Sequence, residues 1–213
     1  DNFDLVVVPE HDNLDGHNVL KTKGAIHYLT SEEIEKDKEY LFSISSKLRD
    51  KNIISLIIGG PTQYYDYSDR NIQEIFSKVN YLVKENNLNL VVIPSMRTPK
   101  GTIEHAKIYF GNDHLVLDGV DKKAYLSALS QSKHLVITCD SSSMISEAAL
   151  TGKPIYIATI PPKKSDKRFK NFRKLFQEMK IVRELGEKLE NWNYEKLDET
   201  NRVANIIKDK IQL

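Results

Sequence analysis

Apolar residues come in two textures along this chain. Some form short unbroken runs; others recur every three or four positions within longer polar stretches. The unbroken runs fall at residues 5–8, 53–58, 88–94, 114–117, 135–138 and 155–158. Runs that short, with no polar face, predict strands buried on both sides of a parallel sheet. Two weaker runs, 18–20 and 25–27, predict shorter strands. The helical spacing falls at 31–50, 69–85, 102–110, 122–131, 142–150, 167–179 and 201–211. In the first of these, Thr30 or Ser31 offers a cap, and Ile34, Tyr40, Leu41, Ile44 and Leu48 lie along one side. In the second, Ile72, Ile75, Phe76, Val79, Leu82 and Val83 make the inward stripe.

From residue 31 to residue 158 strand and helix alternate five times. Alternation of that kind predicts right-handed crossovers and a parallel sheet with helices on both faces. The fold class expected is therefore α/β, a Rossmann-like doubly wound sheet. Ligands of such sheets bind outside the carboxyl ends of the strands. That rule picks out four loops to read for chemistry: G-G-P-T-Q, P-S-M-R-T-P, D-G-V-D and T-C-D-S-S-S-M. The stretch 12–23, with its Gly, Asn and Asp residues, is the place for a hinge.

Composition narrows the picture without redirecting it. The chain has 213 residues, 29% of them charged, and a formal net charge of +1, so nothing global points to nucleic acid. Cys139 is the single cysteine. That excludes a disulfide framework and a cysteine metal site, and a reducing, cytoplasmic setting fits. No apolar run approaches the roughly 20 residues of a membrane span. The opening D-N-F-D-L-V-V-V-P lacks an initiator Met and reads as a cut made just before a buried strand.

Each loop admits a structural and a chemical reading. Gly59 and Gly60 follow a strand, either to make a sharp turn or to let backbone approach a ligand. No Gly-Lys-Ser follows, so this is not a phosphate-binding P-loop. Arg97, one loop beyond another strand, suits a phosphate that a guanidinium grips with two donors, or else pairs with a nearby carboxylate. Asp140, Ser141, Ser142 and Ser143 stand where a helix starts, and the free N–H groups and dipole there attract anions. Glu147 lies a turn further on, within reach of a sugar hydroxyl. Ser143 and Glu147 also resemble a capping box with one residue too many. His11 and Asp12 end the first strand and could be a base with its orienting acid. The stretch 163–174, K-K-S-D-K-R-F-K-N-F-R-K, sets seven basic residues (Lys163, Lys164, Lys167, Arg168, Lys170, Arg173 and Lys174) against one acid. It reads as a solvated helix face, or as a surface for an anionic membrane or a protein partner.

Taken in order, P-E-H-D, N-V-L-K-T-K-G-A-I-H, L-I-I-G-G-P, S-M-R-T-P and T-C-D-S-S-S-M-I-S-E-A-A-L-T-G-K-P-I-Y-I resemble the mitochondrial fission ELM family. The last segment also resembles the donor-binding segment of GT-B glycosyltransferases. The resemblance implies two Rossmann-like domains around a cleft. Residues 1–28 would be the end of the N-terminal domain with its hinge, and 29–213 the C-terminal, nucleotide-sugar-binding domain. Carried over by motif, Glu147 would meet the ribose, and Ser141, Ser142 and Ser143 the diphosphate. Gly59 and Gly60 would form the Gly-rich turn, with Arg97 near the diphosphate. His11 and Asp12 would face the cleft as base and orienting acid. The position before Arg97, where the family commonly carries a second Arg, is Met96. The implied function is a metal-independent glycosyltransferase donor domain needing no cofactor beyond its nucleotide-diphosphate sugar. The alternative is a non-catalytic scaffold that recruits a membrane-remodelling partner, peripherally at a membrane, through residues 163–174.

Overall fold

A computed structural model describes residues 3–211. The first strand, β1 (Val6–Pro9), is followed by a single 3-10 turn, Glu10–Asp12, and by β2 (Val19–Thr22). These two pair in parallel, Val6 opposite Val19. The main body begins with two short helices, α1 (Ser31–Lys36) and α2 (Tyr40–Ile44), and the 3-10 turn Ser46–Arg49. It continues through β3 (Ile53–Ile58), α3 (Asp69–Glu85), β4 (Asn89–Pro94), α4 (Lys100–Phe110), β5 (Leu115–Val116), α5 (Lys122–Gln131) and β6 (Ser132–Thr138). It ends with α6 (Ser142–Ala149), β7 (Ile155–Ala158), α7 (Lys167–Glu178), β8 (Val182–Glu184) and α8 (Glu199–Ile211).

Among the described residues the main sheet has six parallel strands in the order β5-β4-β3-β6-β7-β8. The chain starts in the middle at β3, runs outward to β5, then returns to lay β6, β7 and β8 on the other side. This is the doubly wound order, and it opens a crevice between the carboxyl ends of β3 and β6 where the winding reverses. Every residue of β3 and β4 is buried. Their side chains join one continuous core with Phe76, Val79 and Leu82 of α3 on one face and Leu126 and Leu129 of α5. Each fully buried Ile or Leu contributes about 1.5–3 kcal/mol of transfer free energy. Two of the polar residues inside the sheet pair with each other: Ser55 of β3 and Ser132 of β6 share a 2.7 Å hydrogen bond.

Two expectations needed correction. The helical spacing over 31–50 resolves into α1, α2 and a 3-10 turn, because Ser127 of α5 takes over the backbone between the pieces. Its hydroxyl donates to the Lys38 carbonyl at 2.5 Å and accepts from the Leu41 N–H at 3.1 Å. Thr30 does cap α1, accepting from Glu33 N–H. The run 25–27 forms no strand, since its N–H groups go to side chains instead. Ala25 donates to Ser146 Oγ and His27 to Thr200 Oγ1. These contacts, with Lys23 N–H donating to the buried Glu199, seat the β1–β2 segment on α6 and α8. The edge strand β8, three residues long, had no sequence signal of its own.

Candidate functional site

Two neighbouring structures occupy the carboxyl ends of the strands. The first is a closed polar knot at the reversal point. Asp140, just beyond β6, has no exposed side-chain surface. Its carboxylate accepts from Gly60 N–H at 3.1 Å, Tyr67 Oη at 2.5 Å, Thr138 Oγ1 at 2.8 Å and Arg97 Nη2 at 2.7 Å. Thr138 Oγ1 in turn accepts from Gly59 N–H at 2.8 Å, and Arg97 Nη1 donates to the Gly60 carbonyl at 3.1 Å. Burial, then the Asp140 charge, pushes the Tyr67 hydroxyl far above the ordinary tyrosine range, so it stays a donor. The glycines are required by this packing. A Cβ on Gly59 would lie 2.2 Å from an Asp140 oxygen, and one on Gly60 2.0 Å from the Arg97 carbonyl.

The second structure is an open cavity of about 350 Å³ beside the knot. Ser95, Met96 and Arg97 from the loop after β4 form one wall, Val120, Asp121 and Tyr125 around the start of α5 another, and Ser141, Met144 and Glu147 of α6 the third. Tyr125 Oη donates to Glu147 at 2.6 Å and fixes that carboxylate. Burial, then the Glu147 charge, raises the Tyr125 proton affinity and keeps it a donor too. No cation pairs with Glu147 among the described residues, and it lines the cavity. Arg97 spans both structures: two of its N–H groups hold the knot, and its side chain is still 44% exposed. Met96, Val120 and Tyr28 give the cavity an exposed apolar rim.

The opening of α6 is partly a cap. Ser141 Oγ accepts from Met144 N–H at 3.3 Å. Ser142 Oγ and Ser143 Oγ make no protein hydrogen bond among the described residues, and neither residue lines the cavity. Of the residues singled out from sequence, the fold thus brings Arg97, Ser141 and Glu147 to one cavity. It sets Gly59, Gly60 and Asp140 behind them in the knot. Tyr67 and Tyr125, which aim the two carboxylates, were not singled out as site residues. The only hint of Tyr67 was its place in a tyrosine-rich loop after Gly59 and Gly60.

His11 and Asp12 sit elsewhere, on the β1–β2 segment. His11 is buried with its ring edge-on to Phe172 at 5.3 Å, and its Nδ1 has no hydrogen-bond partner. Burial depresses its proton affinity, outweighing the Asp12 charge. Its Nε2 is 3.9 Å from Asp12, too long for a hydrogen bond. Asp12 is engaged instead by Arg168 of α7, at 3.1 Å.

The strand order and the carboxyl-end crevice define a Rossmann-like α/β domain of the GT-B type. A S. aureus MnaA structure solved with UDP shares this fold, with a TM-score of 0.52 and 16% identity over 99% of this chain and 60% of that one. The chain belongs to the mitochondrial fission ELM1 family, whose profile matches residues 1–211. It is 27% identical to an uncharacterized protein, RP120, of Rickettsia prowazekii (strain Madrid E), over 96% of this chain and 58% of that protein. It is 25% identical to mitochondrial fission protein ELM1 of Arabidopsis thaliana, over 98% of this chain and 55% of that one. The chain therefore spans little more than half the length of these curated relatives.

Proposed function

We propose that the cavity between the β4–α4 loop, α5 and α6 binds the nucleoside diphosphate of a nucleotide-sugar donor. The observation that carries this reading is convergence. Arg97, Ser141 and Glu147, from two separate segments, reach one cavity at the carboxyl end of a doubly wound sheet. Its volume falls within the usual range for small-molecule sites, about 300–1,000 Å³. Glu147, aimed by Tyr125, accepts from the ribose hydroxyls. The exposed N–H bonds of Arg97, and Ser141 at the N-terminus of α6, face the diphosphate. Met96, Val120 and Tyr28 supply apolar surface for the base. The UDP in the S. aureus structure of the same fold supports this class of ligand.

In the full-length protein the reaction that follows from this site is metal-independent glycosyl transfer. Fixed donors, Arg97 and the helix end, stabilise the diphosphate as it departs. His11, buried against Phe172 and set apart from this cavity, is not assigned the role of base. The test of the binding site is a calorimetric titration with UDP, GDP, ADP and CDP. One of the four binds in the micromolar range, and Glu147→Ala weakens it at least tenfold, about 1.4 kcal/mol. A folded chain that binds none of them refutes the proposal.

A further inference from the structure

One charged surface is not used by the cavity or the knot. The loop ahead of α7 and the outward side of α7 carry Lys163, Lys164, Lys167, Lys170 and Lys174, all exposed. Positions 167, 170 and 174 are three and four apart, so their side chains share one stripe of the helix. The opposite side is anchored: Phe172 and Phe176 are buried, with ring centroids 4.3 Å apart. The loop is anchored too. Lys163 N–H donates to the Tyr64 carbonyl at 2.7 Å, and Pro162 bridges Tyr65. The lysines therefore project from fixed backbone.

Three acids on this side are already taken. Asp12 pairs with Arg168, Asp166 with Arg173 and Glu178 with Lys174. Lys164 reaches only the neutral amide of Gln63 and the ring of Tyr64. Lys163, Lys164, Lys167 and Lys170 are left with no carboxylate partner among the described residues. On a chain whose net charge is +1, that is a concentrated local excess.

The surface lacks what other polyanionic or protein partners use. Single-stranded nucleic acid needs open aromatic faces on which bases stack. Here Tyr64 and Phe169 pack edge-to-face at 5.5 Å, both partly buried, and Lys164 covers Tyr64. A protein partner is anchored by a large exposed apolar side chain. Among the described residues the exposed ones, Met96, Ile108, Val120 and Tyr28 included, lie outside residues 160–180. Ammonium groups on flexible stems, with no fork geometry and no apolar anchor, match a diffuse negative charge. We propose that the α7 lysine face is a docking surface for an anionic lipid bilayer, held by electrostatics alone.

The test is flotation of the chain with vesicles of phosphatidylcholine, alone and mixed with phosphatidylserine. A variant carrying Lys163→Gln, Lys164→Gln, Lys167→Gln and Lys170→Gln is run beside it. Thermal unfolding checks that the variant is folded, as four exposed positions should permit. The parent binds the mixed vesicles and not the neutral ones, and the binding fades as salt shortens the screening length. Each lysine near an anionic surface contributes roughly a fivefold factor, so the variant binds several hundredfold more weakly. Equal binding to neutral vesicles, or undiminished binding by the folded variant, overturns the proposal. So does single-stranded DNA that binds the parent more tightly than the mixed vesicles do.

Discussion

The knot and the cavity are made of the same kinds of residue, side by side at the same ends of the same strands. Each holds a carboxylate aimed by a tyrosine, Asp140 by Tyr67 and Glu147 by Tyr125, and both share Arg97. They differ in what is left over. Asp140 is fully buried and receives four donors, so its capacity is spent on the fold. Glu147 receives one and opens onto about 350 Å³ of space. A strand-end acid is structural when the protein saturates it and available when the protein only orients it. In this molecule the saturated acid serves the available one, because Asp140 holds Arg97 in place at the cavity wall.

If that division is right, the two acids respond to mutation in opposite currencies of measurement. The largest effect falls on stability at the knot. Asp140→Ala leaves the Gly60 N–H and the inner end of Arg97 without their acceptor and the Tyr67 hydroxyl with Thr138 alone, and costs about 3–5 kcal/mol. A loss of unfolding free energy in urea (midpoint shift times slope) of less than about a third of that shows the knot to be ornamental. Tyr67→Phe removes the hydroxyl that reaches both Asp140 and Thr138 and costs about 1.5–3 kcal/mol. Both losses are read from unfolding, and neither requires a ligand.

A smaller effect comes from pH. Burial lowers the proton affinity of His11, His114 and His134 below the ordinary value of 6.5. In the unfolded chain these rings take up protons as the pH drops through that value, while in the folded chain they resist. The stability they contribute is thus complete above pH 6.5 and is lost as the pH falls through their depressed folded values. The melting temperature should therefore be lower at about pH 5 than at neutral pH, in the direction this linkage sets. The smallest stability effect is at the cavity. Glu147→Ala takes from the Tyr125 hydroxyl its acceptor at the edge of the open cavity, where water replaces it, and costs about 0.5–1.5 kcal/mol.

How much of this was legible in the sequence depends on the range of the interaction. The strands and most helices follow from local pattern: α3 and α5 occupy the predicted spans, and the six inward residues of α3 are all buried. The spacing over 31–50 misled because Ser127, more than eighty positions away, diverts the backbone at Lys38 and Leu41. The site follows the same rule. The binding-edge loops were readable from the order of strands and helices, and Arg97, Ser141 and Glu147 do meet there. What sequence could not show is that Asp140 would be consumed by Tyr67, 73 positions earlier in the chain. Nor could it show that Gly59 and Gly60 would be filled over by Asp140 and Arg97 rather than left open. Local spacing places an acid at a strand end; only long-range partners decide whether it is saturated.

The most direct test crosses the two regions in one experiment. The chain, its Glu147→Ala variant and its Tyr67→Phe variant are titrated with the nucleoside diphosphate that binds best, and each is melted without ligand. The division between knot and cavity predicts that Glu147→Ala loses at least tenfold in affinity while its melting temperature falls less than that of Tyr67→Phe. Tyr67→Phe should melt several degrees lower and lose less than about threefold in affinity. The opposite pattern, with Glu147→Ala binding normally and Tyr67→Phe failing to bind while folded, would contradict it and move the ligand site from the cavity to the knot.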